Sequence, residues 1–302
     1  MKIGGFIASI LFCISWQALS ATVSPISDAL CRNMTKAGVM DHAAPVQCQR
    51  LRQVTFNYVD FNGKQHNDGH LVVLDAVAPH VGHIFDSLFS VKFPINKAIT
   101  IEHYQGDDDR SMTDNNTSAF NYRSISGQRS LSLHAYGLAI DINPVQNPFV
   151  EFSTTNTATF KPQAGIKYAN RMKYRFGKTE RGGMAEEVIE LFAKNGFQYW
   201  GGFWDTPIDY QHFQVSRDMA NLMISMDSQQ ASMFFKRYVD WYQSCSRFYP
   251  QAHSQHKFND YVEYLKDKLG VSSLSQAYVR SPSRIIQAIQ VDSVRSAICV
   301  KR

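Results

Sequence analysis

Apolar residues recur along this chain with two different periods, that of a strand and that of a helix. Large apolar residues take every second position over residues 138–142, which predicts a half-buried strand that sends Asp141 to the opposite face. Helical spacing covers residues 27–37 and 181–195, and the Asn-Gly pair at 62–63 is typical of a hairpin turn. Strands mixed with separate helices, without a regular strand-helix-strand rhythm, indicate the α+β class.

The character of the chain changes after residue 216. Helix-like apolar spacing recurs over residues 219–226, 231–242 and 258–269, so we expect residues 217–302 to form a helical C-terminal domain. From residue 216 onward, 12 Lys and Arg stand against 7 Asp and Glu, and this excess equals the +5 of the whole chain. The basic bias favours contact with an acidic cell-wall polymer, a membrane surface or a protein, or it is the solvated face of an ordinary helical domain.

The amino terminus resembles a secretory signal peptide. Lys2 precedes an apolar run over residues 6–16, and small residues follow, which predicts cleavage near residue 20 or 21. The run is too short to span a bilayer comfortably. We therefore expect residues 1–21 to be a signal peptide and the protein to be exported, periplasmic or secreted, without a stable membrane span.

Four cysteines remain after the expected cleavage, and an even number in an exported chain suggests two disulfides. Three connectivities are possible. We favour Cys31–Cys48 and Cys245–Cys299, because each pair lies within its own end of the chain. The first pair would join an N-terminal helical segment over residues 22–50 and stabilise it by about 3 kcal/mol in the chain-entropy model. The composition indicates no disorder, and we expect no nucleic-acid partner.

His134 and Asp141, followed some seventy residues later by His212, are the strongest signal for chemistry. Two histidines and a carboxylate suffice to bind a zinc ion with one position left for water. A continuous strand would hold the Cα atoms of His134 and Asp141 about 23 Å apart, and a helix about 10 Å apart. Neither spacing allows a shared ion. The chain must therefore turn between them, and Tyr136-Gly137 supplies the break.

Asp209, three residues before His212, is left free to act as a base. A zinc-bound water becomes a nucleophile near neutral pH, but a leaving amine still needs a proton from a nearby carboxyl group. Asp209 can lie beside the metal without ligating it if the chain makes a single turn there, which Pro207 favours. The aromatic residues over 197–204 are expected to form a wall that holds a substrate and excludes water, unless they are ordinary core.

The pattern Ser-x-His-x-x-Gly-x-Ala-x-Asp over residues 132–141, followed by acid-x-x-His-Phe at 209–213, closely resembles the zinc D-alanyl-D-alanine carboxypeptidase and L-alanyl-D-glutamate endopeptidase family. This family shares its site with the lysostaphin and hedgehog group. The likeness covers roughly residues 50–216, and a Gly-Phe-x-x-Trp-Gly-Gly-x-Trp run at 196–204 extends it. It implies a zinc peptidase domain over residues 51–216, a small antiparallel-sheet core flanked by helices, followed by the helical extension.

The resemblance also implies roles for individual residues. They are the ligands His134, Asp141 and His212 of one Zn²⁺, the general base Asp209, the substrate-contacting Arg123, and Ser132, Tyr136 and Trp204 as substrate-binding or ligand-supporting residues. A fixed guanidinium at Arg123 would steady developing negative charge, although a surface salt bridge is the plain alternative. Ser132 is expected to orient the loop that carries His134.

The implied function is hydrolysis of peptidoglycan stem peptides, at either the L-Ala to D-Glu bond or the terminal D-Ala to D-Ala bond. Aspartate at position 209, where D,D-dipeptidases have glutamate, points to the endopeptidase-like branch. Two other classes stay open. A His/Asp/His set also occurs in non-haem iron oxygenases, although those usually place the first His and the acid two residues apart. The site could also be a catalytically silent metal-binding module that recognises the cell wall.

Overall fold

The computed structural model of the protein describes residues 20–125, 127–155, 157–248, 260–291 and 299. The predicted signal peptide falls almost wholly on residues 1–19, which lie outside the described residues. Within the described part, none of the helices combines the length and the hydropathy needed to cross a bilayer. Short antiparallel strands and separate helices make up the fold, and this confirms the α+β class.

The helices of the described residues fall into a sparse N-terminal set and a continuous C-terminal set. They are α1 (Asp28–Lys36), α2 (Ala78–Ser90), α3 (Asp108–Thr113), α4 (Ile189–Lys194), α5 (Arg217–Ser225), α6 (Ser228–Phe248), α7 (Tyr261–Leu269), α8 (Leu274–Arg280) and α9 (Pro282–Val291). Side-chain caps fix where several of them begin. Ser27 accepts a hydrogen bond from the Leu30 amide, and Ser216 accepts one from the Met219 amide.

The described strands form three antiparallel sheets of three strands each, in the orders β1-β2-β3, β4-β9-β7 and β6-β5-β8. They are β1 (Thr22–Pro25), β2 (Leu51–Val59), β3 (Gln65–Leu74), β4 (Ala139–Asp141), β5 (Phe149–Phe152), β6 (Ala158–Lys161), β7 (Tyr199–Trp200), β8 (Ile208–Asp209) and β9 (His212–Gln214). The hairpin predicted at Asn62-Gly63 is present between β2 and β3. The first sheet packs on α2, where the Phe56 and Phe85 rings stack with centroids 3.9 Å apart.

Two predicted elements differ from the structure. The strand predicted over residues 138–142 is β4, but it is buried on both faces rather than half-buried. The helix predicted over residues 181–195 is only the short α4, preceded by a single 3₁₀ turn at Ala185–Glu187. Gly183 explains the late start, because its φ of +77° interrupts any helix and an added Cβ would lie 2.6 Å from the Phe61 ring.

The C-terminal helices pack onto the rest of the protein rather than standing apart from it. One continuous hydrophobic core includes buried residues from the first sheet and from α5 to α9. Phe235 of α6 is fully buried, and its ring lies 6.3 Å from that of Phe197 and 5.1 Å from that of His80. His80 of α2 is therefore only partly exposed, since α6 packs over it. The division of the chain at residue 216 stays a prediction.

Both favoured disulfides are present. Cys31 is joined to Cys48, and Cys245 is joined to Cys299. The first fastens α1 to the 3₁₀ turn, Cys48–Arg50, that precedes β2. The second fastens α6 to residue 299, beyond the last helix.

Candidate metal centre

His134 lies in a 3₁₀ turn, Leu133–Tyr136, that ends at Gly137. The Ser132 hydroxyl caps this turn by accepting a hydrogen bond from the His134 amide at 3.3 Å. Gly137 has φ +66°, and an added Cβ would lie 2.6 Å from the backbone nitrogen of Leu74. Any other residue at 137 would meet both a strained backbone and the neighbouring β3 strand. The turn predicted between His134 and Asp141 is thus present at Gly137.

Asp141 and His212 face each other across one pair of strands. Asp141 ends β4, His212 begins β9, and the two residues are direct partners in the antiparallel register. The side chains of directly opposed residues lie on the same face of a sheet and close together. Their approach therefore follows from strand pairing, and the turn at Gly137 carries His134 over to the same point.

The three side chains meet at one point inside the protein. His134 Nε2 lies 3.2 Å from His212 Nδ1 and 3.1 Å from Asp141 Oδ2, and His212 Nδ1 lies 2.9 Å from Asp141 Oδ1. Each of the three offers one ligand atom within 4.8 Å of the others. All three residues are at most 6 % exposed. The structure therefore brings together the three predicted metal ligands.

Hydrogen bonds on the outer nitrogens decide which nitrogen of each ring can bind a metal. His134 Nδ1 donates to the Ala119 carbonyl at 2.5 Å, so the lone pair of Nε2 faces the centre. His212 Nε2 donates to Gln214 Oε1 at 2.8 Å, so the lone pair of Nδ1 faces it. Two neutral imidazoles and a carboxylate, each oriented by an outer partner, are a donor set that fits Zn²⁺.

The electrostatics of the metal-free centre show what a cation would replace. Burial disfavours the charged form of His212, but the hydrogen bond and charge of Asp141 outweigh burial and raise the His212 pKa to about 9. Burial would raise the pKa of Asp141, but the charge and hydrogen bond of His134, with those of His212, lower it below its ordinary value. Without metal, a proton on His212 balances the Asp141 carboxylate. Only the neutral ring ligates, so metal binding must release that proton.

Asp209 approaches the centre from a different sheet. It ends β8, where it is paired with Phe149 of β5, and a two-residue turn then leads to His212. Gly201 makes room for it, because an added Cβ there would lie 2.5 Å from the Asp209 carbonyl oxygen. This is the single turn that the sequence required between the acid and His212.

The Asp209 carboxyl group has an unusual environment. Its Oδ1 atom is buried and has no hydrogen-bond partner among the described residues. Burial and the nearby negative charge of Asp141 raise its pKa to about 7, against lowering contributions from His212 and Arg123. A carboxyl group with a pKa near neutrality can accept a proton and return it at working pH.

Arg123 forms the salt bridge that was its plain alternative, and it also influences the centre. Its Nη2 lies 2.7 Å from Asp108 Oδ2, at the start of α3, and the Arg123 side chain is 30 % exposed. Its Nε is buried and has no hydrogen-bond partner among the described residues. Its charge is one of those that lower the pKa of Asp209. The guanidinium therefore acts on Asp209 through its charge, with one nitrogen held by Asp108 and another unpaired.

The remaining candidates differ in how close they come. The Trp204 ring is tilted over His212 with centroids 5.5 Å apart, and Trp204 is 36 % exposed, so it borders the centre on the open side. The Tyr136 ring instead lies beneath the Arg217 guanidinium, 5.2 Å from it, and this contact joins it to α5. The aromatic residues over 197–204 divide between core and surface: Phe197 and Trp200 are buried, whereas Phe203 is exposed.

Sequence reasoning missed three partners of the site. Gln214 had a usable signal, because it lies two residues after His212 and so faces the same side of β9. The Ala119 carbonyl had none, since a backbone acceptor leaves no mark on residue type. Asp108 had none either, because its pairing with Arg123 depends on where α3 packs.

Comparison with known proteins supports the family resemblance over one part of the chain. Residues 126–215 match the family model described as D-alanyl-D-alanine carboxypeptidase, and this segment contains the three converging residues together with Asp209. The resemblance read from the motif is thereby confirmed. Arg123 and residues 217–302 lie outside the matched segment. No curated protein matches the chain, and no solved structure matches it.

Proposed function

We propose that this protein is an exported zinc metallopeptidase that hydrolyses peptide bonds in peptidoglycan stem peptides. The main support is the convergence of His134 Nε2, His212 Nδ1 and the Asp141 carboxylate at one point. Beside them, Asp209 has an unpaired oxygen, and the charge of Asp141 helps to raise the Asp209 pKa. The family match makes a peptidase the coarse assignment. The peptide substrate, the identity of the ion and the roles of single residues are part of the proposal.

His134, Asp141 and His212 would hold one zinc ion, which would supply polarisation of the scissile carbonyl and acidification of a water. Asp209 takes a proton from the attacking water and delivers it to the departing amine. Its raised pKa suits both transfers, because the carboxyl group can be ionised before attack and protonated after it. An ion that only held structure would need no such group.

Arg123 acts on the substrate side of the same reaction. Its unpaired, buried Nε can donate to the carbonyl oxygen as negative charge develops there, while Asp108 holds the other end of the guanidinium. A preoriented donor of this kind stabilises the transition state by several kcal/mol. Trp204, tilted over His212 and partly open to solvent, forms the adjoining wall that keeps water from the substrate.

Export is part of the proposal and rests on two observations. The apolar run after Lys2 has the form of a signal peptide. Two disulfides in a chain with no other cysteine after that run fit an oxidising compartment, the periplasm or the cell exterior. Peptidoglycan is reached from that side of the membrane.

Digestion of purified muropeptides tests the function. The zinc-loaded protein is expected to cleave them, a chelator to stop cleavage, and Asp209→Ala to lower kcat by about 10²–10⁴-fold while one zinc per chain is retained. Asp205→Ala, which removes an exposed acid in the same loop, is the matched control and should change little. Full activity in Asp209→Ala would refute the assigned base. A zinc-loaded protein that leaves every muropeptide intact would refute the substrate class.

The same digests identify the bond. We propose the endopeptidase-like activity, which releases stem peptides at the L-Ala to D-Glu bond, because position 209 is an aspartate. Mass spectrometry separates the two outcomes, since carboxypeptidase action removes one D-Ala and leaves the rest of the stem attached. Zinc as the resident metal, rather than the iron of an oxygenase, is checked by metal analysis of protein purified without added metal.

A further inference from the structure

Four large apolar side chains stand exposed between β6 and α4, in a segment that the proposed chemistry does not use. Ile166 is 58 % exposed, Met172 63 %, Tyr174 69 % and Phe176 94 %. Single exposed apolar residues are common on protein surfaces, but four within eleven positions of one loop mark a site of interaction.

Ion pairs beneath the loop hold these side chains outward. Arg171 is paired with Glu186, with Nη2 2.6 Å from Oε2. Lys173 is paired with Glu187 and Glu180, with Nζ 2.7 Å and 3.1 Å from their carboxylate oxygens. These pairs fix the backbone that carries the exposed side chains of Met172, Tyr174 and Phe176. The exposure is a property of a tethered segment.

The segment that contains the loop is also rich in basic residues. Residues 158–183 contain seven Lys and Arg against a single acid, Glu180. Arg181 binds the carbonyl oxygens of Asn170 and Lys167, and Arg175 binds that of Thr179, and neutral carbonyls leave the positive charges uncompensated. Lys167 and Lys178 are exposed. Acids outside the segment pair with Lys161, Arg171 and Lys173, and the remaining four basic residues still exceed the single acid Glu180. The apolar side chains therefore lie in a segment with net positive charge.

We propose that this basic-aromatic surface, made of Ile166, Met172, Tyr174 and Phe176 with Lys167 and Lys178, binds the surface of an anionic phospholipid bilayer. Basic side chains are attracted to anionic headgroups, and aromatic and aliphatic tips gain free energy when they enter the boundary between headgroups and acyl chains. A purely polar anionic polymer would neutralise the lysines but leave Phe176 in water. A loop that carries both exposed basic and exposed apolar side chains therefore favours a lipid surface over a polar polymer.

The surface is joined to the metal centre. Arg171, which anchors the loop, stacks its guanidinium 4.3 Å above the ring of Tyr210, the first residue of the turn between Asp209 and His212. Docking of the loop on a membrane would hold the centre at a fixed distance from that membrane. The inference does not depend on the proposed peptidase activity, because it is read out by binding alone.

Vesicle flotation with the full mature protein tests the inference. Vesicles of phosphatidylcholine with an equal part of phosphatidylglycerol are compared with vesicles of phosphatidylcholine alone. The wild type should bind the anionic vesicles about tenfold more strongly than the neutral ones. The double variant Met172→Ser with Phe176→Ser, and the double variant Lys167→Glu with Lys178→Glu, should each weaken that binding about tenfold.

Matched controls separate this surface from general effects. Val279→Ser removes an exposed apolar residue of α8, and Lys64→Glu reverses an exposed charge in the first hairpin; neither should change binding. Unchanged thermal unfolding of each variant shows that it is folded. Failure of the wild type to bind anionic vesicles overturns the inference. Unaltered binding of either double variant also overturns it. So does wild-type binding to soluble dextran sulfate, a polymer without acyl chains, if anionic vesicles do not displace the polymer and the serine substitutions do not weaken its binding. A loss of binding in the serine variant that sedimentation explains by lost self-association overturns it as well.

Discussion

The metal centre and the helical region behind it are both buried, but opposite kinds of interaction hold them. At the centre, each of the three predicted ligands has a specific partner: Ala119 for His134, Gln214 for His212, and both rings for Asp141. The helical region is held by close packing of apolar side chains, in which rings such as that of Phe235 are fully buried against other rings. Substitutions at the centre should therefore lower metal binding and hydrolysis with little effect on stability. Substitutions in the helices should lower stability with little effect on hydrolysis.

Asp141→Asn should have the largest effect. An amide cannot supply the negative charge that balances a dication. It also has only one oxygen, whereas the carboxylate places one oxygen opposite each histidine ring. We expect zinc content to fall below detection and peptide hydrolysis to reach background, with the helical circular dichroism unchanged. Zinc retained at one ion per chain would show that Asp141 is not a ligand.

Phe235→Ala tests the other side of the comparison. Truncation of this buried ring should lower the free energy of unfolding by about 3–5 kcal/mol, because the ring fills the space beside Gly196 and packs on Phe197 and His80. Hydrolysis per folded molecule at low temperature should match the wild type. Urea denaturation measures the first quantity, with Val279→Ala on the exposed face of α8 as the control. Loss of activity without loss of stability would mean that α6 takes part in catalysis.

Gln214→Ala should weaken zinc binding about 10–100-fold without removing a ligand. The side-chain oxygen of Gln214 accepts a hydrogen bond from His212 Nε2 and so favours the tautomer with a lone pair on Nδ1, which faces the centre. Alanine cannot accept this hydrogen bond, so the preference for that tautomer is lost. Competition with a chelator of known affinity measures the change. Gln243→Ala, on α6, is the control. Equal zinc affinity in Gln214→Ala and the wild type would show that the strand pairing alone orients His212.

Asp209→Asn should have the smallest effect. The expected effect is a change in the free energy of unfolding, measured on the metal-free protein. Between the ordinary carboxyl value of 3.8 and about 7, folded Asp209 keeps a proton that the unfolded chain has released, so its contribution to stability falls as pH rises through that window. Asparagine carries no such proton. The rise in the Asp209 pKa from 3.8 to about 7 corresponds to at most about 4 kcal/mol, and partial exposure of Asp209 to solvent reduces this. We therefore expect the variant to be more stable than the wild type at pH 8 by about 2 kcal/mol, and the difference to vanish near pH 4. Parallel stability curves across this range would contradict the raised pKa.

Sequence was most informative where the geometry is local. Gly137 and the spacing around it predicted the turn after His134, and the alternation over residues 138–142 predicted β4. The Asn-Gly pair predicted the first hairpin, and the cysteine positions favoured both observed disulfides. These signals depend on neighbours in the chain or on a small number of alternatives.

The features that sequence did not predict depend on long-range packing. The amino-terminal part of the predicted helix at 181–195 is absent because Gly183 takes a left-handed conformation against Phe61. His80 is covered because α6 packs over it. The pairing of Asp141 with His212 across two strands follows from a register that no local pattern specifies, and here the family resemblance supplied what periodicity could not.

We expect one zinc ion to lie among His134, Asp141 and His212. Anomalous diffraction at the zinc absorption edge, from crystals of the protein grown with zinc, tests this directly. One peak is expected at about 2.0–2.2 Å from His134 Nε2, His212 Nδ1 and an oxygen of Asp141. Zinc found only elsewhere, with the three side chains still hydrogen-bonded to one another, would contradict it.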